Sequence, residues 1–311
     1  MDVGPMRVLL ATDGSASARS ALDLVRSLAW PDGTTVRVIQ VLPLWPALID
    51  FDVPGRSDAF EASARSALHE LAAPLRRDGL VVEERLVRGE GIADLIVADA
   101  RESNADLVVV GSRGHGPLAS VLLGSVAAAV IDHAPCPVLV ARRPHLERVV
   151  FAEDGSESAF EARRLLATWP MFRGLQVWVL SVAHVTRPFH SGITATVFEE
   201  ARRAEAEILT ESRSAHERLA KESAEQLRLA GALAQAELRQ GDAASEIVAS
   251  AERAGADLIV MGSRGRSGPT RAVLGSVARN VLQHAHCSVL IARHGAAVRI
   301  NDAPLISAAT H

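Results

Sequence analysis

Residues 105–142 read ADLVVVGSRGHGPLASVLLGSVAAAVIDHAPCPVLVAR, and residues 256–293 repeat the pattern as ADLIVMGSRGRSGPTRAVLGSVARNVLQHAHCSVLIAR. Each copy opens with a short apolar run, Leu107–Val110 or Leu258–Met261, that reads as a buried strand. A glycine-bearing loop follows, then a helical segment (Leu123–Asp132 in the first copy), then a second apolar run, Pro137–Ala141 or Val289–Ala292. Wholly apolar strands joined through a helix suit a parallel sheet covered on both faces.

Working outward, RVLLATDGS at 7–15 matches RVVFAEDGS at 148–156. The offset between copies is 141 there and 151 in the later segments, so the second half holds ten extra residues between its second strand and its third helix. The repeating unit is a whole domain, too long for a solenoid repeat. The chain divides into residues 1–145, residues 146–295 and a tail, 296–311, with no counterpart in the first half.

Within the first half, the spacing predicts strands at Val8–Ala11, Val36–Leu42, Val81–Val87, Leu107–Val110 and Pro137–Ala141. Between them, Ala18, Ala21, Leu22, Val25 and Leu28 share one helical face, and Phe60–Arg77 and Ile92–Arg101 are helical. Pro43–Pro54 reads as a loop, and Ser15 or Ser17 can cap the first helix. The second half repeats this at Val149–Ala152 and Val177–Val182, and places its extra length in a charged helix over residues 195–230. Arg202, Glu205, Arg213 and Glu217 suit a solvated face. The expected architecture is two tandem α/β domains, each a five-stranded parallel, Rossmann-like sheet. The last strand of each half is an apolar edge that invites pairing, so the halves are expected to join there as a pseudo-twofold pair.

The loop after the fourth strand carries chemistry. Gly111-Ser-Arg-Gly114 is followed nine residues later by Gly124 and Ser125; Gly262-Ser-Arg-Gly265 precedes Gly275 and Ser276 at the same spacing. Glycines permit positive φ and close backbone approach to a phosphate. A loop at the carboxyl end of a parallel strand lies where α/β sheets bind ligands. The helix N-termini at Ser125 and Ser276 favour an anion, and Arg113 and Arg264 add positive charge. Tight turns and helix starts alone would also account for these glycines.

Composition narrows the field. The chain of 311 residues is 48% hydrophobic and 23% charged, a globular composition. A net charge of -4 argues against general nucleic-acid binding. No uninterrupted apolar run is long enough to span a membrane, and the N-terminus lacks the pattern of a secretory signal, so a cytoplasmic location is expected. Cys136 and Cys287, one per half, suit small buried hydrophobes rather than a disulfide or a metal site.

The glycine pattern between an AD-L-V-V-G strand and a C-P-V-L-V strand, with the early D-G-S turn, resembles the universal stress protein family over about residues 6–294. It is not a Walker A loop, since no Gly-Lys-Ser/Thr occurs. The resemblance implies an adenine nucleotide α-hydrolase-like fold and ATP, with magnesium, as ligand, because ATP-binding members keep this pattern. It also implies that backbone at Val41 and Val182 meets the adenine and that Asp13 and Asp154 face the adenosine. The expected role is a nucleotide-dependent regulator or sensor in stress response, working as a homodimer. Asp13 equally suits a plain Asx turn.

No catalytic residue or metal ligand set stands out. Lys221, the only lysine, lies in the charged helix. His133 and His284, like Arg142 and Arg293, are repeat-equivalent and flank strands rather than the loops, which suits a structural role. His184, His190, His216 and His286 have no obvious metal partner in the sequence. The expectation is no enzyme, with at most slow ATP hydrolysis. The alternatives are a slow hydrolase or nucleotidyl-transferring enzyme, and a scaffold that binds no nucleotide. Arg266 and Arg271 near the second loop, against His115 and Pro117 near the first, predict tighter binding by the second.

Overall fold

A computed structural model describes residues 3–43, 56–114, 123–183, 195–265 and 274–293. In the first half the elements run β1 (Arg7–Thr12), α1 (Ala16–Ser27), β2 (Thr35–Leu42), α2 (Arg56–Arg77), β3 (Val81–Arg88), α3 (Ile92–Glu102), β4 (Leu107–Gly111), α4 (Ser125–His133) and β5 (Val138–Ala141). The second half follows as β6 (Arg148–Ala152), α5 (Glu157–Thr168), β7 (Gln176–Ala183), α6 (Ala195–Leu229), β8 (Leu233–Gln240), α7 (Ala243–Ala254), β9 (Leu258–Gly262), α8 (Ser276–His284) and β10 (Ser288–Ala292). The proline-bearing loop after β2 lies almost wholly outside the described residues, as does the tail.

The ten strands of the described residues form one sheet in the order β3-β2-β1-β4-β5-β10-β9-β6-β7-β8. Neighbours within each half are parallel. At the junction β5 and β10 pair antiparallel, with Leu139 opposite Leu290. Val138–Ala141 and Ser288–Ala292 are buried along their whole length, because each hides the other's edge as well as its faces.

Alternation along the strands divides the core. Val8 and Leu10 of β1 pack with α1 and α2 on one face, and Leu9 and Ala11 pack with α3 and α4 on the other. The same division places α5 and α6 on the first face and α7 and α8 on the second. The charged helix forms as expected: α6 has 35 residues against 22 in α2, a length of roughly 52 Å. Its C-terminal part packs through Ala220, Ala224 and Leu227, while Ile208 is exposed.

Candidate functional site

In each half the strand order reverses direction between the first and fourth strands, so the helices that follow them lie on opposite faces and leave a crevice at the carboxyl ends. In the first half a cavity of about 620 Å³ opens there. Asp13, Val41, Gly111, Arg113, Gly114, Gly124 and Ser125, the residues singled out in this half, all line it. One side is apolar, built from Ile39 of β2 and Ile92 and Ile96 of α3. The other carries Asp13, Arg113 and the start of α4. An apolar pocket of this size with a few convergent polar groups has the form of a small-molecule site.

Each part of the polar side has a local cause. Ser15 caps α1 by accepting the Ala18 N–H at 3.1 Å, and Ser156 caps α5 by accepting that of Ala159 at 3.1 Å. Asp13 and Asp154 close Asx turns, each accepting the N–H two residues on, from Ser15 at 2.9 Å and Ser156 at 3.0 Å. The turn and the cavity position coexist. A Cβ built on Gly114 would lie 2.6 Å from the other carboxylate oxygen of Asp13, and one on Gly265 would lie 3.0 Å from that of Asp154. Val41 sits one residue beyond Gln40, the last β2 residue in register with β1, so it flanks the crevice.

The loop glycines work differently from the positive-φ expectation. Positive φ falls at Gly14 and Gly155, in the D-G-S turns, and at none of the six loop glycines. Gly124 and Gly275 are extended N-caps with φ of -74° and -65°. Gly111 is small for packing: a Cβ there would lie 2.9 Å from the Ser17 backbone carbon, and one on Gly262 would lie 2.8 Å from that of Ser158. Close approach of a strand to a helix start selects glycine as firmly as a left-handed turn does.

Gly124 donates its N–H to the Ser112 carbonyl at 2.7 Å, and Gly275 donates to that of Ser263 at 2.8 Å. These bonds close the loop base and direct the first turn of α4, at Ser125, Val126 and Ala127, into the cavity. First-turn N–H groups have no partner within their helix, and the helix dipole adds positive potential there. The span between loop and helix, with His115 and Pro117 in one half and Arg266 and Arg271 in the other, lies outside the described residues. So do His184 and His190.

Ser17, expected only as an alternative helix cap, and Ser158 hold the loops instead. Their hydroxyls accept the N–H groups of Arg113 at 3.1 Å and Arg264 at 3.2 Å, fixing the loop backbone. Their shared spacing in DGSAS and DGSES was the available signal.

The halves also differ at the turn. Thr12 of the first half, whose hydroxyl accepts the Gly14 N–H, is replaced by Glu153. The Glu153 carboxylate is buried and accepts from Gly155 N–H at 2.9 Å, Ser223 Oγ at 2.9 Å and Arg163 at 3.2 Å. Burial raises its pKa, and the Gly155 and Arg163 contacts only partly oppose that. The second turn is thereby tied to α6. His216 lies against Ser181, ring nitrogen to hydroxyl, at 2.8 Å. No cluster of three or more His, Cys, Asp or Glu side chains among the described residues could hold a metal ion.

These features define a class: paired α/β domains that each present a glycine-lined helix start at the crevice of a parallel sheet. The sequence model of the universal stress protein family matches residues 5–142 and again 145–293, and this chain belongs to that family. A universal stress protein of Mycolicibacterium smegmatis is 30% identical over 92% of this chain and 96% of its own length. A second, from Thermus aquaticus, is 31% identical over 43% of this chain and 97% of its own length. The crystal structure of a universal stress protein from Archaeoglobus fulgidus superposes with a TM-score of 0.63 over 93% of this chain and 98% of that one, at 20% identity, which shows the shared fold. Among the described residues no helix is long and apolar enough to cross a membrane.

Proposed function

We propose that this universal stress protein binds ATP and acts as a nucleotide-dependent regulator rather than as an enzyme. One observation carries the reading: the first-half residues chosen from the sequence line a single cavity that is apolar on one side and anion-attracting on the other. The apolar side suits a base, with Val41 beside it, and Asp13 suits the ribose. Arg113, Gly114 and the first turn of α4 suit the phosphates. In the second half Asp154, Val182, Arg264, Gly265, Gly275 and Ser276 stand in the same relation to their strands and helix. Magnesium commonly binds through the phosphate oxygens of the nucleotide and would arrive with it.

Mass spectrometry of small molecules released from the denatured, freshly purified chain tests this directly, followed by calorimetric titration with ATP and magnesium. Retained or titratable adenine nucleotide with turnover near background supports a binding regulator. Turnover far above background supports an enzyme, and no binding at all supports an association scaffold.

A further inference from the structure

The duplication supplies an internal comparison at a place remote from the phosphate loops. In each half a groove runs between the third helix and the outermost strand. In the first half it is closed by ion pairs. Arg37 reaches Glu83 at 2.7 Å and Asp99 at 3.5 Å, and Arg85 reaches Asp99 at 3.5 Å and Glu102 at 3.8 Å. Arg7 at one end donates to the Ser103 carbonyl, so three arginines face three carboxylates.

The second half keeps the backbone frame and changes the chemistry. Arg37 opposite Glu83 becomes Trp178 opposite Gln235, at the same register position. Asp99 and Glu102 of α3 become Ser250 and Arg253 of α7, and Val87, paired with Val41, becomes Arg239, paired with Val182. Arg148 keeps the place of Arg7 and donates to the Ala254 carbonyl at 3.2 Å. Three arginines now face one lining carboxylate, Glu237, which holds Arg239 at 2.6 Å, Ser250 at 2.7 Å and Arg253 at 3.6 Å. Glu246 approaches Arg253 from beside the groove at 3.9 Å. The ion-pair lattice shrinks to these contacts with Glu237 and Glu246, and an open groove of about 690 Å³ is lined by the half-buried Trp178.

We propose that this groove is a second ligand site, for a small planar aromatic anion: a ring bearing a phosphate or a carboxylate. An indole in the lining can stack with an aromatic ring in offset fashion. Arginine is the side chain best suited to a planar anion, which it meets through paired N–H donors. The volume falls in the range of small-molecule pockets. The site begins at the amino ends of β6 and β7, where Arg148 and Gln176 stand, away from the phosphate loop, and reaches along β8 to Arg239, the register partner of Val182. Charge along an outermost strand also deters sheet-to-sheet association. The first half has charge there too, yet there three carboxylates balance the three arginines.

The four tryptophans permit a direct test on the full chain. In a ¹⁵N spectrum each indole N–H gives one signal, and Trp178→Phe identifies the one from the groove. Phenyl phosphate and benzoate are the probes, with inorganic phosphate and neutral benzamide as controls. The expected result is a saturable shift of the Trp178 signal by an aromatic anion, with a Kd near or below about 1 mM, and weaker responses to both controls. Arg239→Gln combined with Arg253→Gln, folded by circular dichroism, is expected to weaken binding about tenfold, the size of one charge-assisted contact. The proposal is overturned if neither probe shifts the signal, if benzamide shifts it equally, or if the double variant loses less than about threefold. That last result would leave the arginines as protectors of the edge only.

Discussion

Arg142 donates to the main-chain carbonyl of Leu282 at 2.7 Å, across 140 residues of sequence and across the boundary between the halves. It also donates to the Cys287 carbonyl at 3.2 Å. Arg293 mirrors it, donating to the Ile131 carbonyl. Each arginine follows the last strand of one half and holds the end of the helix that begins at the other half's phosphate loop. Burial pulls the Arg142 guanidinium down to about 10, which leaves it charged at neutral pH. Arg142→Leu therefore strands carbonyl groups in the junction, and a loss of about 1–3 kcal/mol is expected. The urea midpoint at constant slope measures it. Unchanged midpoints for both Arg142→Leu and Arg293→Leu would show that the strand pairing alone holds the halves.

Two loop glycines separate binding from folding. A methyl group on Gly114 meets the Asp13 carboxylate in the cavity wall, whereas one on Gly111 meets the backbone of α1. Gly114→Ala is expected to lower ATP affinity in a stable protein, and Gly111→Ala to lower the melting temperature. Calorimetric titration and thermal unfolding distinguish them. ATP affinity unchanged in a chain carrying Ala at 114, 124, 265 and 275 would remove the binding hypothesis.

The second loop is expected to bind the triphosphate more tightly, since Arg266 and Arg271 accompany it in sequence. One added charge-assisted contact corresponds to roughly tenfold in affinity. The full chain with Gly114→Ala and Gly124→Ala reports the second site, and the chain with Gly265→Ala and Gly275→Ala reports the first. Equal affinities would mean that loop charge does not decide between the sites.

Burial raises the pKa of Glu153 above its ordinary 4.5, so between that value and the higher folded one the native state binds more protons than the unfolded state. Its contribution to stability is therefore complete below about pH 4.5 and is lost as pH rises through the folded pKa. Glu153→Gln cannot titrate. The stability of the parent relative to this variant is expected to fall as pH rises across that window. Urea midpoints from pH 4 to 8 test the sign, and a difference that grows with pH would contradict it.

Both cysteines are buried, and burial pushes the Cys136 thiol up to about 12 and the Cys287 thiol up to about 11. Thiolate is the reactive form, so both should be inert in the native state. A disulfide exchange reagent at pH 8 is expected to titrate no thiol quickly, and two after denaturation. One fast thiol in the folded chain would show that the β5–β10 junction opens.

The sequence by itself determined the duplication, the strand-and-helix alternation and the place of the glycine loops. These features rest on short-range physics: hydrophobic period, turn residues and helix starts act over a few neighbours. It also marked Arg113 and Ser125 through the glycine motif, while Asp13 and Val41 came from the family resemblance; folding brings all four to one cavity. Only the tertiary structure decided why Gly111 is glycine, since the Ser17 backbone it would strike is 94 residues away. It alone revealed that Glu153 turns inward to Arg163 and Ser223, and that Arg142 and Arg293 cross between halves. A charged side chain's burial depends on partners brought close by folding, and no local pattern encodes which distant carbonyl or hydroxyl will be there to receive it.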